Sequence, residues 1–324
     1  LAIIAPGQGS QTPGMLNSWV TNPVFHELLS KWSMRIDLDL IGLGTKADAD
    51  EIKDTANAQP LIVAASLLGA HALGIKNFAY TSGHSVGELA AAAISGAICD
   101  EDALRLVRAR GIEMAKAAAL SPAGMSAVLG GEREVVLKKL EELKLVAAND
   151  NGGGQIVAAG DLAALAALSE NPPEGARVRA LAVAGAFHTS FMEPAVEPLR
   201  TLAATIQTAP TTISVISNKD GEVVSDGGEV LTRIVNQIAN PVRWDLCMQR
   251  LKNLGVTGVI ELPPAGTLVG LLKRGAPEIE TFALKSADEL SAAKEFAGRH
   301  ARLSRHHQRL TVPFSLSVPI ALSV

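Results

Sequence analysis

Five residues, Gly83-His84-Ser85-Val86-Gly87, restrict what this chain can fold into more than any other stretch. They follow a short β-prone piece, Phe78–Ser82, and they open an Ala-rich helical stretch. The pattern G-x-S-x-G belongs to a serine held on a sharp strand-to-helix turn, where side chains at the flanking positions would collide. The turn also sets Ser85 at a helix N-terminus, where free backbone N–H groups can stabilise a developing oxyanion. A plainer reading competes, because Ser85-x-x-Glu88 is also a capping box and needs no chemistry. Placement between a strand and a helix favours the nucleophile.

A turn of this kind requires a sheet whose strands alternate with helices, and the rest of the chain fits. Leu1–Ala5 reads as a buried strand ending in the loop Pro6-Gly7-Gln8-Gly9-Ser10-Gln11, Asn22-Pro23 as a helix start, and Leu61–Leu73 as an apolar helix. The middle changes character. Met125–Leu129, Glu132–Lys144, Leu145–Ala148, Gln155–Ala159, Asp161–Ser169 and Arg177–Ala184 read as βαββαβ, the ferredoxin-like order. From Thr211 the first pattern resumes with strand Ile213–Ser217, helices Glu229–Ala239 and Trp244–Leu254, and strand Gly258–Leu262. The expected architecture is therefore α/β: a large domain, residues 1–120 and 186–298, with a mainly parallel sheet, interrupted by a small ferredoxin-like domain at 121–185. Residues 299–324, rich in Arg and His and then in Ser and Pro, show no usable period and are expected to be a disordered tail. His306-His307 within it reads as solvated rather than as a metal pair.

Composition narrows the function classes. Aromatics are 3% of the 324 residues and the formal charge is −4, so neither stacking platforms nor a basic groove for nucleic acid is expected. Hydrophobic residues at 48% supply a substantial core. Cys99 and Cys247 stand far apart without a CxxC, which fits a reducing compartment and no metal site. No run approaches the roughly 20 apolar residues that span a bilayer, and Leu1–Pro6 has no secretory-signal pattern. Cytoplasm is the expected compartment, with a monomer as the expected state.

A serine nucleophile needs a base, since its hydroxyl attacks poorly at neutral pH. Among seven histidines, His84 adjoins the serine, His26 and His71 lie in helical stretches, and three lie in the tail. His188, in Gly185-Ala186-Phe187-His188-Thr189, follows the strand leaving the middle segment and is the best candidate. Gly7-Gln8-Gly9 lacks both the P-loop ending and the dinucleotide spacing, but such a turn facing Ser85 would complete an oxyanion hole. Arg105, Arg108 and Arg110 share one helical stretch, and periodicity does not separate them.

Pro6-Gly7-Gln8-Gly9-Ser10-Gln11, Gly83-His84-Ser85-Val86-Gly87-Glu88, Arg110-Gly111, Ala186-Phe187-His188 and Asn240-Pro241-Val242-Arg243-Trp244 occur in this order. Together, over Leu1 to Ala297, they resemble the bacterial malonyl-CoA:acyl carrier protein transacylases of fatty-acid and polyketide synthesis. The resemblance implies that the large domain is α/β-hydrolase-like, that Ser85 is acylated, that His188 is its base, and that backbone N–H groups of Gln8 and Val86 form the oxyanion hole. It implies that Arg110 grips the free malonyl carboxylate, that the Gln237 main-chain carbonyl orients His188, and that Phe187 crowds an α-methyl substituent and so selects malonyl. The substrate is then a coenzyme A thioester, the partner a phosphopantetheinylated acyl carrier protein, and no bound cofactor, metal, nucleic acid or membrane is expected. Arg105 or Arg108 could belong to a basic patch that meets the acidic carrier. Ser82 stands where the family has Ala, and Pro263-Pro264-Ala265-Gly266 is poorer in glycine than the family's segment. Two other readings are a serine esterase or thioesterase, against which the missing HGGG-type segment and triad acid count, and a catalytically silent carrier-binding module.

Overall fold

The computed structural model describes residues 1–310, except for the side chains of 302–310. Among the described residues, eleven strands form two sheets. The first contains β1 (Ala2–Ala5), β2 (Tyr80–Gly83), β7 (Ser214–Ile216), β8 (Val223–Val224), β10 (Gly258–Glu261) and β11 (Glu280–Ala283), in the order β11-β10-β1-β2-β7-β8. All its pairings are parallel except β7 with β8. Parallel neighbours require crossovers, and helices supply them on both sides of a sheet whose central strands are buried; Ile3 and Ile4 of β1 are almost fully enclosed. The second sheet has β3 (Ala123–Gly130), β4 (Val146–Gly152), β5 (Gln155–Asp161), β6 (Ala176–Ala180) and β9 (Val242–Arg243), ordered β6-β3-β5-β4-β9. Helices Arg133–Glu142 and Leu162–Glu170 pack on it around Val128, Leu140 and Leu168.

The α/β reading of the sequence agrees with this architecture, including the βαββαβ order between 123 and 180. What the pattern did not contain is β9. Two residues are too few to show a period, yet Val242–Arg243 pairs in parallel with Asn149–Asp150 of β4. The Asn240–Trp244 motif thereby ties the second sheet to the first part of the molecule, and Trp244 beside it is fully buried.

Local chemistry explains the element ends. Asn22 accepts the Val24 N–H and Pro23 occupies the first turn of helix Pro23–Ile36. Ser82 is buried in β2 and donates its hydroxyl to the Ile216 carbonyl across the β2–β7 pair, at 2.8 Å. A hydroxyl at this position therefore costs no unsatisfied group. The Pro263–Pro264 bond is cis, and the Pro263 carbonyl accepts the buried Ser66 hydroxyl. Helix Thr55–Leu73 is long and apolar enough to cross a membrane, contrary to the expectation of no such run, but 72% of its apolar window is buried in the protein core.

The expected disordered tail is corrected for residues 299–310. They continue a helix running Leu290–Leu310. Ala293, Phe296, Ala297 and His300 recur at the helical spacing and are all buried. His300 packs on Phe296 with ring centroids 4.5 Å apart and sits 2.9 Å from the Thr257 hydroxyl through Nδ1. The stripe was hidden because its last member is a histidine, read as polar. Residues 311–324 and the side chains of His306 and His307 lie outside the described residues.

Candidate active site

Strand register creates the site. In the β1–β2 pair Ala5 stands opposite Gly83, so the loops leaving both strands emerge side by side at the carboxyl edge of the sheet. Ligands of open α/β sheets bind at that edge. The His84 N–H donates to the Ala5 carbonyl at 3.0 Å and locks the two loops together. Ser85 then takes φ +53°, and the elbow helix Gly87–Ile94 starts two residues later. Neither glycine tolerates a side chain. A Cβ on Gly83 would lie 2.0 Å from the Gly87 carbonyl carbon, and one on Gly87 would lie 2.3 Å from the Ala5 oxygen.

The capping-box reading of Ser85 and Glu88 does not describe this turn. The N-cap is Val86, with no side-chain cap bond. Ser85 Oγ instead lies 2.8 Å from His188 Nε2. His188 Nδ1 lies 2.8 Å from the Gln237 main-chain oxygen. A carbonyl can only accept, so Nδ1 carries the proton and Nε2 presents its lone pair to the serine hydroxyl. Burial, and then the positive charge of Arg110, push His188 down to about 3, against the bond to Gln237. The imidazole is therefore neutral at physiological pH.

Arg110 resolves the ambiguity among three arginines. On helix Asp100–Ala118, Arg105 pairs with Asp102 and Arg108 donates to the Ala56 carbonyl, both at partly exposed positions. Arg110 is 1% exposed. Its Nη1 donates to Gln59 Oε1 at 2.6 Å, and its Nη2 donates to Gln237 Oε1 at 2.9 Å and to Ser85 Oγ at 3.3 Å. Its Nε has no partner among the described residues. Burial lowers its pKa to about 10, opposed by Glu88, and it stays charged at neutral pH.

These groups line a cavity of about 210 Å³ between the two sheets, with Gln8, Ser85, Arg110 and His188 on its polar side and Phe187 and Met125 among its apolar walls. The Gln8 side chain donates to Thr55 Oγ1 at 3.2 Å. The Ser85 N–H is used within the protein, donating to Asn218 Oδ1 at 2.8 Å, whereas no acceptor faces the Gln8 and Val86 backbone N–H groups among the described residues. Of the residues the resemblance assigns to the site, Gln8, Ser85, Arg110, Phe187 and His188 line the cavity, while Val86 and Gln237 are buried, the latter bonded to both His188 and Arg110.

Four further residues escaped sequence reasoning. Gln59 supports Arg110 and was detectable as an amide inside an otherwise apolar helix. Glu88 was assigned to a cap, although it is 4% exposed. Asn218, just past β7, bonds Ser85 N–H and donates to the Gly83 carbonyl at 2.6 Å; no local pattern marks it. Asn151 of β4 accepts from His84 Nε2 at 2.7 Å, and the His84 ring lies edge-on to Trp244.

Comparison with known proteins places this arrangement among relatives. The family described as "Acyl transferase domain" matches residues 3–307. The malonyl CoA-acyl carrier protein transacylase of Mycobacterium tuberculosis (strain ATCC 25618 / H37Rv) is 51% identical over 295 residues, covering 90% of this chain and 98% of that protein. A crystal structure of the MCAT from Mycobacterium tuberculosis superposes with a TM-score of 0.85 at 51% identity, over 89% of this chain and 98% of that one. A malonyl-transacylase solved in complex with a type II PKS acyl-carrier protein gives a TM-score of 0.84 at 29% identity, over 91% and 98%.

Proposed function

The chain belongs to the acyl transferase domain family, and from that premise we propose that Ser85, His188 and Arg110 carry its reaction. The chain transfers a malonyl group from malonyl-CoA to the phosphopantetheine thiol of acyl carrier protein, in fatty-acid or polyketide synthesis. The observation that carries the residue assignment is one atom with two neighbours: Ser85 Oγ within 2.8 Å of a neutral histidine and 3.3 Å of a buried arginine.

The steps follow from those distances. Ser85 Oγ attacks the thioester carbonyl carbon while its proton passes to His188 Nε2. The carbonyl oxygen becomes an oxyanion facing the Gln8 and Val86 N–H groups. As the C–S bond breaks, His188 returns the proton to the coenzyme A sulfur. In the second half the carrier thiol gives its proton to Nε2, its sulfur attacks the acyl-serine, and the C–O bond breaks with the proton returning to Oγ. The Gln237 carbonyl holds the ring throughout and replaces the triad acid.

Arg110 supplies specificity. A planar guanidinium with an unpartnered Nε matches a carboxylate that brings its own charge. The same binding strengthens the base, because neutralising Arg110 removes the largest influence after burial that holds His188 down. Phe187 lines the cavity next to His188, and we read it as the residue that crowds an α-methyl group. We further read the enzyme as a cytoplasmic monomer. In support, Ser85, His188, Arg110 and Gln237 all come from one chain, and both cysteines are free.

Steady-state kinetics test the reading. Malonyl-CoA consumption should require carrier protein, with a double-reciprocal pattern of parallel lines. Equal consumption with carrier absent would make the protein a thioesterase instead.

A further inference from the structure

Glu88 has no place in the mechanism above, yet it lies at the centre of the polar network behind the elbow. It is 4% exposed, and both of its oxygens are engaged: Oε1 accepts the Asn218 N–H at 2.6 Å and Oε2 accepts Gln237 Nε2 at 2.5 Å. The second bond has a directional consequence. An amide has one donor end and one acceptor end. Because Glu88 takes the donor end, Gln237 must turn Oε1 the other way, and that oxygen is the one that receives Arg110 Nη2 at 2.9 Å. Gln237 Nε2 also reaches Asn218 Oδ1 at 3.1 Å and the Ser85 carbonyl at 3.2 Å, so the Glu88 bond is the shortest of three at the donor end.

We propose that Glu88 is a positioning residue for malonyl selectivity: its carboxylate fixes the orientation of the Gln237 amide, which aims Arg110 at the acyl pocket. The proposal rests on reading Arg110 as the carboxylate grip. It separates two tasks within Gln237, whose main chain serves His188 while its side chain relays Glu88 to Arg110. Burial raises Glu88 to about 7, against the bonds from Asn218 and Gln237 and the charge of Arg110. Keeping an acid in such a place is costly, and both of its oxygens stand opposite N–H donors, one from Asn218 and one from the Gln237 amide.

The substitution Glu88→Gln tests this at constant volume. A glutamine has a single acceptor, so either Gln237 or the Asn218 N–H meets a donor head-on. Meeting the first, Gln237 flips and turns its NH2 against Arg110. The expected result is that kcat/KM for malonyl-CoA falls at least tenfold further than kcat/KM for acetyl-CoA, with the malonyl loss mostly in KM. Gln237→Met keeps the main-chain carbonyl, deletes the relay, and should shift the malonyl-to-acetyl ratio by the same factor. The double variant should shift it no further than either single change. Equal losses for the two acyl groups in both single variants, or an additive double variant, would overturn the proposal. Arg110→Ala measured alongside separates the two claims. If it leaves the ratio unchanged, the carboxylate-grip reading fails. If it collapses the ratio while Glu88→Gln and Gln237→Met do not, only the role of Glu88 fails.

Discussion

At the scale of single residues, the site is governed by what burial does to charge. Arg110 is almost fully buried, hydrogen-bonds Gln59 and Gln237, and keeps its charge against burial with the opposing charge of Glu88. Removing a charged hydrogen-bond partner from a bound carboxylate costs about 1.5–3 kcal/mol. Arg110→Ala should therefore lower kcat/KM for malonyl-CoA by roughly 10- to 100-fold relative to acetyl-CoA. A parallel loss for both acyl groups would contradict the carboxylate grip. The pKa shifts of His188 and Glu88 make opposite contributions to stability. His188 is held at about 3 against its ordinary 6.5, so its contribution is complete above pH 6.5 and drains away as pH falls toward 3. Glu88, raised from 4.5 to about 7, contributes fully below pH 4.5 and loses that contribution as pH rises through 7. Between pH 4.5 and 6.5 the two slopes oppose each other, so denaturant titrations should show a slope of stability against pH that is more negative in His188→Gln than in the parent chain. An unchanged slope would mean that the histidine titrates normally.

At the scale of elements, the strand-to-helix turn is the decisive unit, and it was legible because its constraint is local. Two glycines separated by three residues state a steric fact about the turn itself. Gly83→Ala would place a methyl 2.0 Å from the Gly87 carbonyl carbon, and relief must come from moving the elbow helix. Overpacking of this kind costs about 1–3 kcal/mol or more, so the expected outcome is a lowered Tm together with loss of acyl-enzyme formation. Full activity at the parent Tm would show that the turn is looser than described. The same locality explains what could not be read. Asn218 meets Ser85 only because β7 pairs with β2, a contact across 133 positions of sequence with no periodic trace. Gln237 came from family resemblance and not from pattern, since a main-chain carbonyl leaves no mark on residue type. The helix Leu290–Leu310 was missed for a different reason: its buried stripe ends in His300, which the Arg- and His-rich surroundings disguised.

At the scale of the whole molecule, the cavity exists because two sheets meet over one loop. The second sheet is joined to the elbow by the Asn151–His84 bond and by the β4–β9 pairing next to Trp244. Asn151→Ala would leave the half-buried His84 N–H without its acceptor, a cost of about 1 kcal/mol. Its predicted signature is a raised KM for malonyl-CoA with the acyl-enzyme still forming at saturation, because the cavity wall loosens while Ser85 and His188 keep their partners. A lowered kcat with KM unchanged would contradict that picture. The alternation of strands and helices was readable along the chain, whereas the meeting of the sheets was not, since it depends on a two-residue strand and on pairings between distant segments.

The central claim is that one hydroxyl carries the acyl group between coenzyme A and the carrier thiol. Intact-protein mass spectrometry after brief mixing with malonyl-CoA tests it most directly. The parent chain should gain a single malonyl unit that disappears when carrier protein is added, and Ser85→Ala should gain none. Retention of the adduct by Ser85→Ala, or an adduct that carrier protein cannot discharge, would contradict the account.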